Sequence, residues 1–323
     1  MKKKIAVLMG GYSDEVEISM LSGQAVMKHI DRSRFLPTAV HVLSDRWSAR
    51  DADGAYEMDR GDFSFQKNGE KQGFDAVFIA VHGRPGEDGT LQAYFDLLGM
   101  PYTGCSMQGA ALTFNKYCCN RVLHTFGVPI PQSLLLNSRS RYSVDDITAR
   151  LELPLFVKPN KGGSSLGMAK VGEKAALPQA IAAAFARDDE VILESAIEGV
   201  EVSVGVLQYR GKTRILPLTE LVYADVFDYA AKYKGQSQEI TPARIDRVLE
   251  EAVKRLALTV YRALNLKGFS RSEYVIKRGV PHLLDVNTVP GFTEQSIFPQ
   301  QLNACDISLG AFITAELERI LSP

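Results

Sequence analysis

The first hundred residues shift between two hydrophobic periods. Residues 5–9 are an unbroken apolar run, the pattern of a strand buried on both faces. Gly10-Gly11 then turns the chain. Apolar positions recur at Ile18, Leu21, Ala25, Val26 and Ile30, one face of a helix. Asp14 and Glu17 have the spacing of a capping pair at its start. Residues 37–43 and 75–81 read as two more strands, the second apolar almost throughout. This alternation predicts a small doubly wound α/β unit. Residues 44–72 are polar and contain glycine, and no element is assigned to them.

PYTG, ending at Gly104, punctuates a boundary. Two short helical patterns follow, the second starting near Lys116, and then the connector VPIPQ at 128–132. Strands at 155–158 and 168–171 flank a glycine-rich segment, and an alanine-rich helix covers about 173–187. Further strands are expected at 191–194, 200–207 and 213–218. Residues 223–239 are polar, bear aromatics and show no period, which suggests a functional loop. A long amphipathic helix over about 243–264, a hairpin of strands 268–277 and 281–286, and a helix after Asp306 complete the chain. The expected division is 1–104, 105–190 and 191–323.

Composition narrows the function classes. At 323 residues the chain is long for one core. Lys plus Arg number 37 against 38 Asp plus Glu, and this balance gives no sign of a nucleic-acid partner. No run reaches the roughly 18 apolar residues of a membrane span. The basic start followed by 5–9 reads as a first strand, not a leader. Cys105, Cys118, Cys119 and Cys305 include no CxxC pair, which favours reduced thiols in a cytoplasmic protein.

Four segments carry candidate chemistry. In KPNKGGSSLGM (158–168) the glycines allow close backbone approach and an anion nest, with Lys158 able to reach a phosphate. An ordinary hairpin loop is the alternative, and no Walker sequence is present. In the predicted hairpin, strand alternation lets Glu273, Asp285 and Asn287 converge, hard oxygen donors suited to magnesium. A surface ion network with Arg271 is the alternative there. Gly291 follows Pro290 and offers an uncovered N–H as an oxyanion donor. His82 follows a buried parallel strand, where ligands of open α/β sheets sit, although loop histidines are more often plain surface. FDYAAKYKG (227–235) places Lys232 and Tyr233 in the irregular stretch, and read alone it proves nothing.

Together, in this order, the segments resemble the D-alanine–D-alanine ligases of the ATP-grasp superfamily. MGGYSDEVEIS is similar to the family's LGGxSxExxxS, VHGRPGEDGTLQ to HGxxGEDGxxQ, and DVNTVPGFTEQS to ExNTxPGxTxxS. FVKPNKGGSSLGM and FDYAAKY resemble its phosphate-loop and mobile-loop motifs. The resemblance spans nearly the whole chain. It implies an α/β (α+β) ATP-grasp fold behind a Rossmann-like N-terminal domain, a homodimer, and a role in peptidoglycan precursor synthesis. The implied cofactors are ATP and Mg2+, as a pair of ions that Mn2+ could replace.

The roles it implies run residue by residue. Lys116 and Lys158 contact phosphates beneath Ser164 and Ser165. Glu194 and Ile197 lie at the adenine, Glu201 takes the ribose, and Lys232 neutralises the γ-phosphate. Glu273, Asp285 and Asn287 hold the metal. Glu15, Ser164 and Tyr233 close the loop, and Glu15 receives the first D-alanine's ammonium. His82, Ser296 and Ile297 face the second D-alanine, while Arg271 and the Gly291 N–H stabilise the oxyanion.

The chain departs from the family pattern at several positions. Glu273 and Asp285 exchange the family's usual Asp and Glu. Asn115 stands where Asp is common, Ser195-Ala196 replaces a Lys-aromatic pair, and Ile297 replaces Leu. Tyr233 goes with D-alanine as nucleophile, whereas Phe there goes with a hydroxy acid; D-lactate and D-serine ligases on the same fold are the nearest alternatives. An NAD-dependent oxidoreductase lacks support because no GxGxxG follows the first strand. A non-catalytic nucleotide-binding protein would be expected to lack Arg271 or a metal carboxylate, and both are present.

Overall fold

The computed structural model describes residues 1–139, 141–223 and 237–322. Its first sheet is centred on β1 (Lys3–Gly11), parallel to β2 (Phe35–Leu43) on one side and β7 (Ala76–Ile79) on the other. Helix α1 (Val16–His29) is the crossover, and β1 is buried from Ile5 onward, as an all-apolar parallel strand should be. Asp14 does not cap α1. Glu15 occupies the N-cap without a side-chain cap bond, and Asp14 pairs instead with Arg187.

Residues 44–72, left without an element above, form an antiparallel meander. It comprises β3 (Trp47–Asp51), β4 (Gly54–Asp59), β5 (Ser64–Lys67) and β6 (Glu70–Gln72), which extend the sheet from β2. Each strand is too short for its period to show in the sequence. Asp53-Gly54 and Asn68-Gly69 are the turns, with Gly54, Asn68 and Gly69 at positive φ. Buried Trp47, Met58, Phe63 and Phe65 anchor the meander. Phe63 meets Phe95 of α2 (Thr90–Leu98) edge to face at 4.9 Å.

Two antiparallel sheets follow. The first has the order β10-β9-β11-β8, from β8 (Ser133–Asn137), β9 (Leu155–Pro159), β10 (Ala169–Val171) and β11 (Glu190–Ser195). With α5 (Val144–Arg150) and α6 (Leu177–Phe185) it encloses its own core of Leu155, Val157, Ile181 and Leu193. The helix expected over 173–187 is a 3-10 turn, Lys174–Ala176, running into α6.

The last sheet has the order β15-β14-β12-β16-β17, with β13 (Lys212–Ile215) paired to β12 (Val200–Tyr209). Its remaining strands are β14 (Thr219–Tyr223), β15 (Ser237–Ile240), β16 (Phe269–Lys277) and β17 (Val280–Asn287). The long amphipathic helix is α7 (Arg247–Ala263), which starts late because Asp246 caps it by accepting from the Leu249 N–H at 2.9 Å.

Two packing facts cut across the division expected from sequence. Glu190–Ser195, expected to open or precede the third unit, is a strand of the four-stranded sheet. Helices α3 (Met107–Phe114) and α4 (Lys116–Thr125), expected with the middle unit, send Ala110, Cys119 and Leu123 into the core of the last sheet beside Val202 and Tyr274. The helices α8 (Ile297–Asn303) and α9 (Leu309–Leu321) also turn back toward the beginning of the chain. Phe298 and Phe312 join Phe269, Phe292 and Phe78 in the core of the first sheet. Buried Glu316 of α9 ties this junction by accepting from the Gly104 N–H at 2.9 Å, with Arg319 at 2.6 Å.

Candidate active site

A cleft of about 1480 Å3 opens where the three sheets meet. Glu15 and His82 reach it from the first sheet, Lys158 and Ser164 from the second, and Arg271 and Asp285 from the third. Of the residues singled out from sequence, all except Lys232 and Tyr233 line it; those two lie outside the described residues.

The glycine-rich loop leaves β9 after Lys158-Pro159. Buried Asn160 fixes its start by donating to Asn115 and Glu190 and accepting from the Tyr117 N–H at 2.8 Å. Asn115, where the family often has Asp, is thus a structural partner and caps α4. Gly162 has φ +118°, and Ser164 and Ser165 sit at +53° and +54°. Two consecutive non-glycine residues in the left-handed region mark a strained loop held by its surroundings. One such hold is the Ser164 hydroxyl, which donates to Glu15 at 2.5 Å. The Arg187–Asp14 pair is another. A Cβ at Gly163 would fall 2.7 Å from the Glu15 carboxylate, so a side chain there would push that carboxylate aside.

Beneath the loop, Lys116 donates to the Gly162 carbonyl at 2.6 Å. Lys158 lies 2.6 Å from Glu194, whose other oxygen accepts from Asn120 at 3.2 Å. Burial disfavours the Lys158 charge, but Glu194, with Asp285 and Glu273 beyond it, outweighs burial and holds its pKa above that of an ordinary lysine. Ile197 is half-buried in the connector from β11 to β12. Glu201, buried on β12, accepts from the Tyr223 hydroxyl.

Opposite lies the acidic hairpin. Glu273 of β16 stands directly across from Asp285 of β17, and Arg271 across from Asn287, as strand alternation predicted. Arg271 donates to Ser203 at 3.0 Å and pairs with Glu273; this surrounding charge raises its pKa although burial opposes it. The donor set fits a divalent ion in its chemistry. Two facing carboxylates and an amide oxygen are hard ligands, and both acids are felt electrostatically at Lys158. Among the described residues no group of three or more His, Cys, Asp or Glu could hold a metal alone. Magnesium at nucleotide sites commonly takes part of its shell from phosphate oxygens.

The third wall is the segment after β17. Ser296 precedes α8, its hydroxyl 2.7 Å from that of Thr293, and Ile297 is buried beside it. A Cβ at Gly291 would fall 2.6 Å from the Ser296 hydroxyl, so only glycine leaves this approach open. Buried His82 lies 2.9 Å from Ser22 through Nε2. Burial lowers its pKa below that of an ordinary histidine, which keeps the ring neutral at pH 7.

Among the cleft residues without an assigned role from sequence are Glu87 and Tyr223. Glu87 accepts from the Gly83 N–H at 2.7 Å, and burial followed by the Glu15 charge pushes its pKa up to about 8. It sits in the same VHGRPGEDGTLQ segment as His82, so the signal was present. Tyr223 is the last residue of a strand and carried no motif.

A strained glycine loop over two lysines, facing an acidic hairpin across two antiparallel sheets, defines a nucleotide-triphosphate cleft of the ATP-grasp class. Comparison with known proteins gives the family. Residues 4–105 match the model described as D-ala D-ala ligase N-terminus, and 122–318 the one described as D-ala D-ala ligase C-terminus. The chain belongs to the D-ala D-ala ligase family. It is 46% identical over 322 residues to the D-alanine–D-alanine ligase of Flavobacterium johnsoniae, covering 99% of this chain and 100% of that protein. The Christiangramia forsetii enzyme of the same name is 43% identical, covering 100% and 99%. Among solved structures, the VanG D-Ala:D-Ser ligase of Enterococcus faecalis superposes with TM-score 0.88 at 32% identity over 100% of both chains. D-alanyl-alanine synthetase A of Vibrio cholerae gives 0.89 at 26% identity over 99% and 98%.

Proposed function

We propose that the protein joins two D-alanine molecules at the expense of ATP, through a D-alanyl phosphate. The observation that carries this reading is the Ser164–Glu15 hydrogen bond, which links the phosphate loop to the residue suited to an amino acid's ammonium. Phosphate chemistry and amino-acid recognition thereby meet in one cleft.

A carboxylate is a poor acyl donor, so the first D-alanine attacks the γ-phosphoryl group and ADP leaves. Charge spreads over the transferring oxygens, and Lys116, Lys158 and Lys232 answer it. Glu273, Asp285 and Asn287 would hold magnesium, or manganese in its place, which when bound neutralises phosphate charge. Glu194 and Ile197 border the adenine, Glu201 the ribose, and Ser165 the phosphates. The neutral amine of the second D-alanine, seated against His82, Ser296 and Ile297, attacks the acyl carbon, and phosphate departs carrying the surplus amine proton. Arg271 and the Gly291 N–H stabilise the tetrahedral oxyanion; losing one such donor costs about 3 kcal/mol of barrier. Glu15, Ser164 and Tyr233 hold the cleft closed, because an acyl phosphate exposed to water hydrolyses.

We take the three sheets as the three domains, place the protein in a bacterial cytoplasm supplying peptidoglycan precursors, and expect a homodimer. No helix among the described residues is long and apolar enough to cross a membrane. The test is phosphate release from ATP and magnesium with D-alanine, L-alanine, D-alanine plus D-lactate, or D-alanine plus D-serine, followed by mass analysis. D-alanine-dependent release with a D-alanyl-D-alanine product supports the reading. Release only with another second substrate moves the specificity, and no release with any of them overturns the substrate assignment.

A further inference from the structure

We propose that Ser22 is a positioning residue for this reaction: held by His82, it clamps the Gly291–Phe292 peptide and so aims the oxyanion-donating N–H of the adjoining Pro290–Gly291 peptide. The inference rests on the function proposed above. Ser22 lies on α1, fully buried, and belongs to no motif that drew attention to it.

The hydrogen-bond directions follow from one fixed donor. The Phe292 N–H can only donate and the Ser22 oxygen is its acceptor at 3.2 Å, so the Ser22 hydroxyl keeps its own proton for another partner. That partner is His82 Nε2 at 2.9 Å, which on a neutral ring carries the lone pair that accepts from the Ser22 hydroxyl. The chain Phe292 N–H, Ser22, His82 thus ties the Gly291–Phe292 peptide to α1 and to the segment that follows β7. Every donor in it has one acceptor.

His82 also changes character. Its Nε2 is taken up by Ser22, so that nitrogen is not a proton acceptor for the incoming amine. Glu15 and Arg271 are the charges that face it, with opposite influence on its protonation.

The test uses the full-length protein in two arms. Nitrogen-15 spectra of histidine-labelled wild type should show His82 neutral at pH 7 with Nε2 unprotonated. An Nε2–H tautomer or an imidazolium there overturns the clamp. In the second arm, Ser22→Ala should lower kcat by about 10- to 100-fold, the cost of slight misplacement of a reacting group. KM for ATP should stay within about twofold, since the nucleotide walls are untouched. Ser22→Cys, with a weak donor of similar size, should fall between them. Wild-type kcat in Ser22→Ala would show that packing of Val289 and Phe292 alone holds the segment, and would overturn the proposal. If wild type does not ligate D-alanine at all, the reaction reading fails separately and the tautomer decides the clamp.

Discussion

Replacing Lys158 with methionine separates its two jobs. Its side chain is 14% exposed and that of its partner Glu194 only 3%, at 2.6 Å. Without the ammonium, Glu194 keeps Asn120 at 3.2 Å but has lost its counter-charge. Breaking a buried pair from one side costs about 3–5 kcal/mol, a large share of the roughly 5–15 kcal/mol that stabilises a typical protein. The double variant Lys158→Met, Glu194→Gln leaves no uncompensated charge and should recover most of that loss. Its turnover should not recover, because the phosphate still lacks its ammonium. Urea midpoints at constant m-value report the first effect, and phosphate release at saturating ATP reports the second. If the single variant is as stable as wild type, the pair does not hold this corner together. If the double variant keeps more than about a tenth of the turnover, a barrier change under roughly 1.4 kcal/mol, Lys158 has no phosphate role.

Four further outcomes are expected. Arg271→Ala should abolish ligation while ATP binding, followed by nucleotide fluorescence, persists. Chelation should stop turnover reversibly, and Asp285→Asn should raise the magnesium concentration needed for half-maximal rate. Glu87 loses its proton near pH 4.5 when unfolded but near pH 8 when folded, so between these values the unfolded state binds fewer protons and stability falls as pH rises; denaturation midpoints of Glu87→Gln should change less from pH 5 to 8 than those of wild type. Tyr233→Phe should admit D-lactate, seen as a depsipeptide by mass analysis; none at all would refute the assigned role of that position.

The parts of the fold written in long periods were legible. The apolar run at 5–9, the helix face from Ile18 to Ile30 and the 268–286 hairpin all appear where expected. So does the face shared by Glu273, Asp285 and Asn287, because strand alternation fixes it locally. The meander of β3–β6 was not legible, since strands of three to six residues carry too few positions for a period. Nor could the sequence reveal where α9 docks, because its apolar face fits any apolar partner. At the site, residues inside glycine-rich motifs announced themselves. Tyr223 and Ser22 matter through partners distant in sequence, which a linear reading cannot place, whereas Glu87 lies inside the VHGRPGEDGTLQ motif.

The shared core of the first sheet has a bearing on how the chain is made. Phe78 and Phe95 leave the ribosome early, whereas Phe292, Phe298 and Phe312, which complete the same apolar cluster, come last. At about 5–20 residues per second, the nascent N-terminal sheet waits roughly 10–40 s with one face uncovered. The four-stranded sheet, whose core is its own, has no such delay. A stop codon that removes only α9 should therefore strand the earliest-made part of the protein as an aggregation-prone intermediate, a substrate for chaperones and proteases.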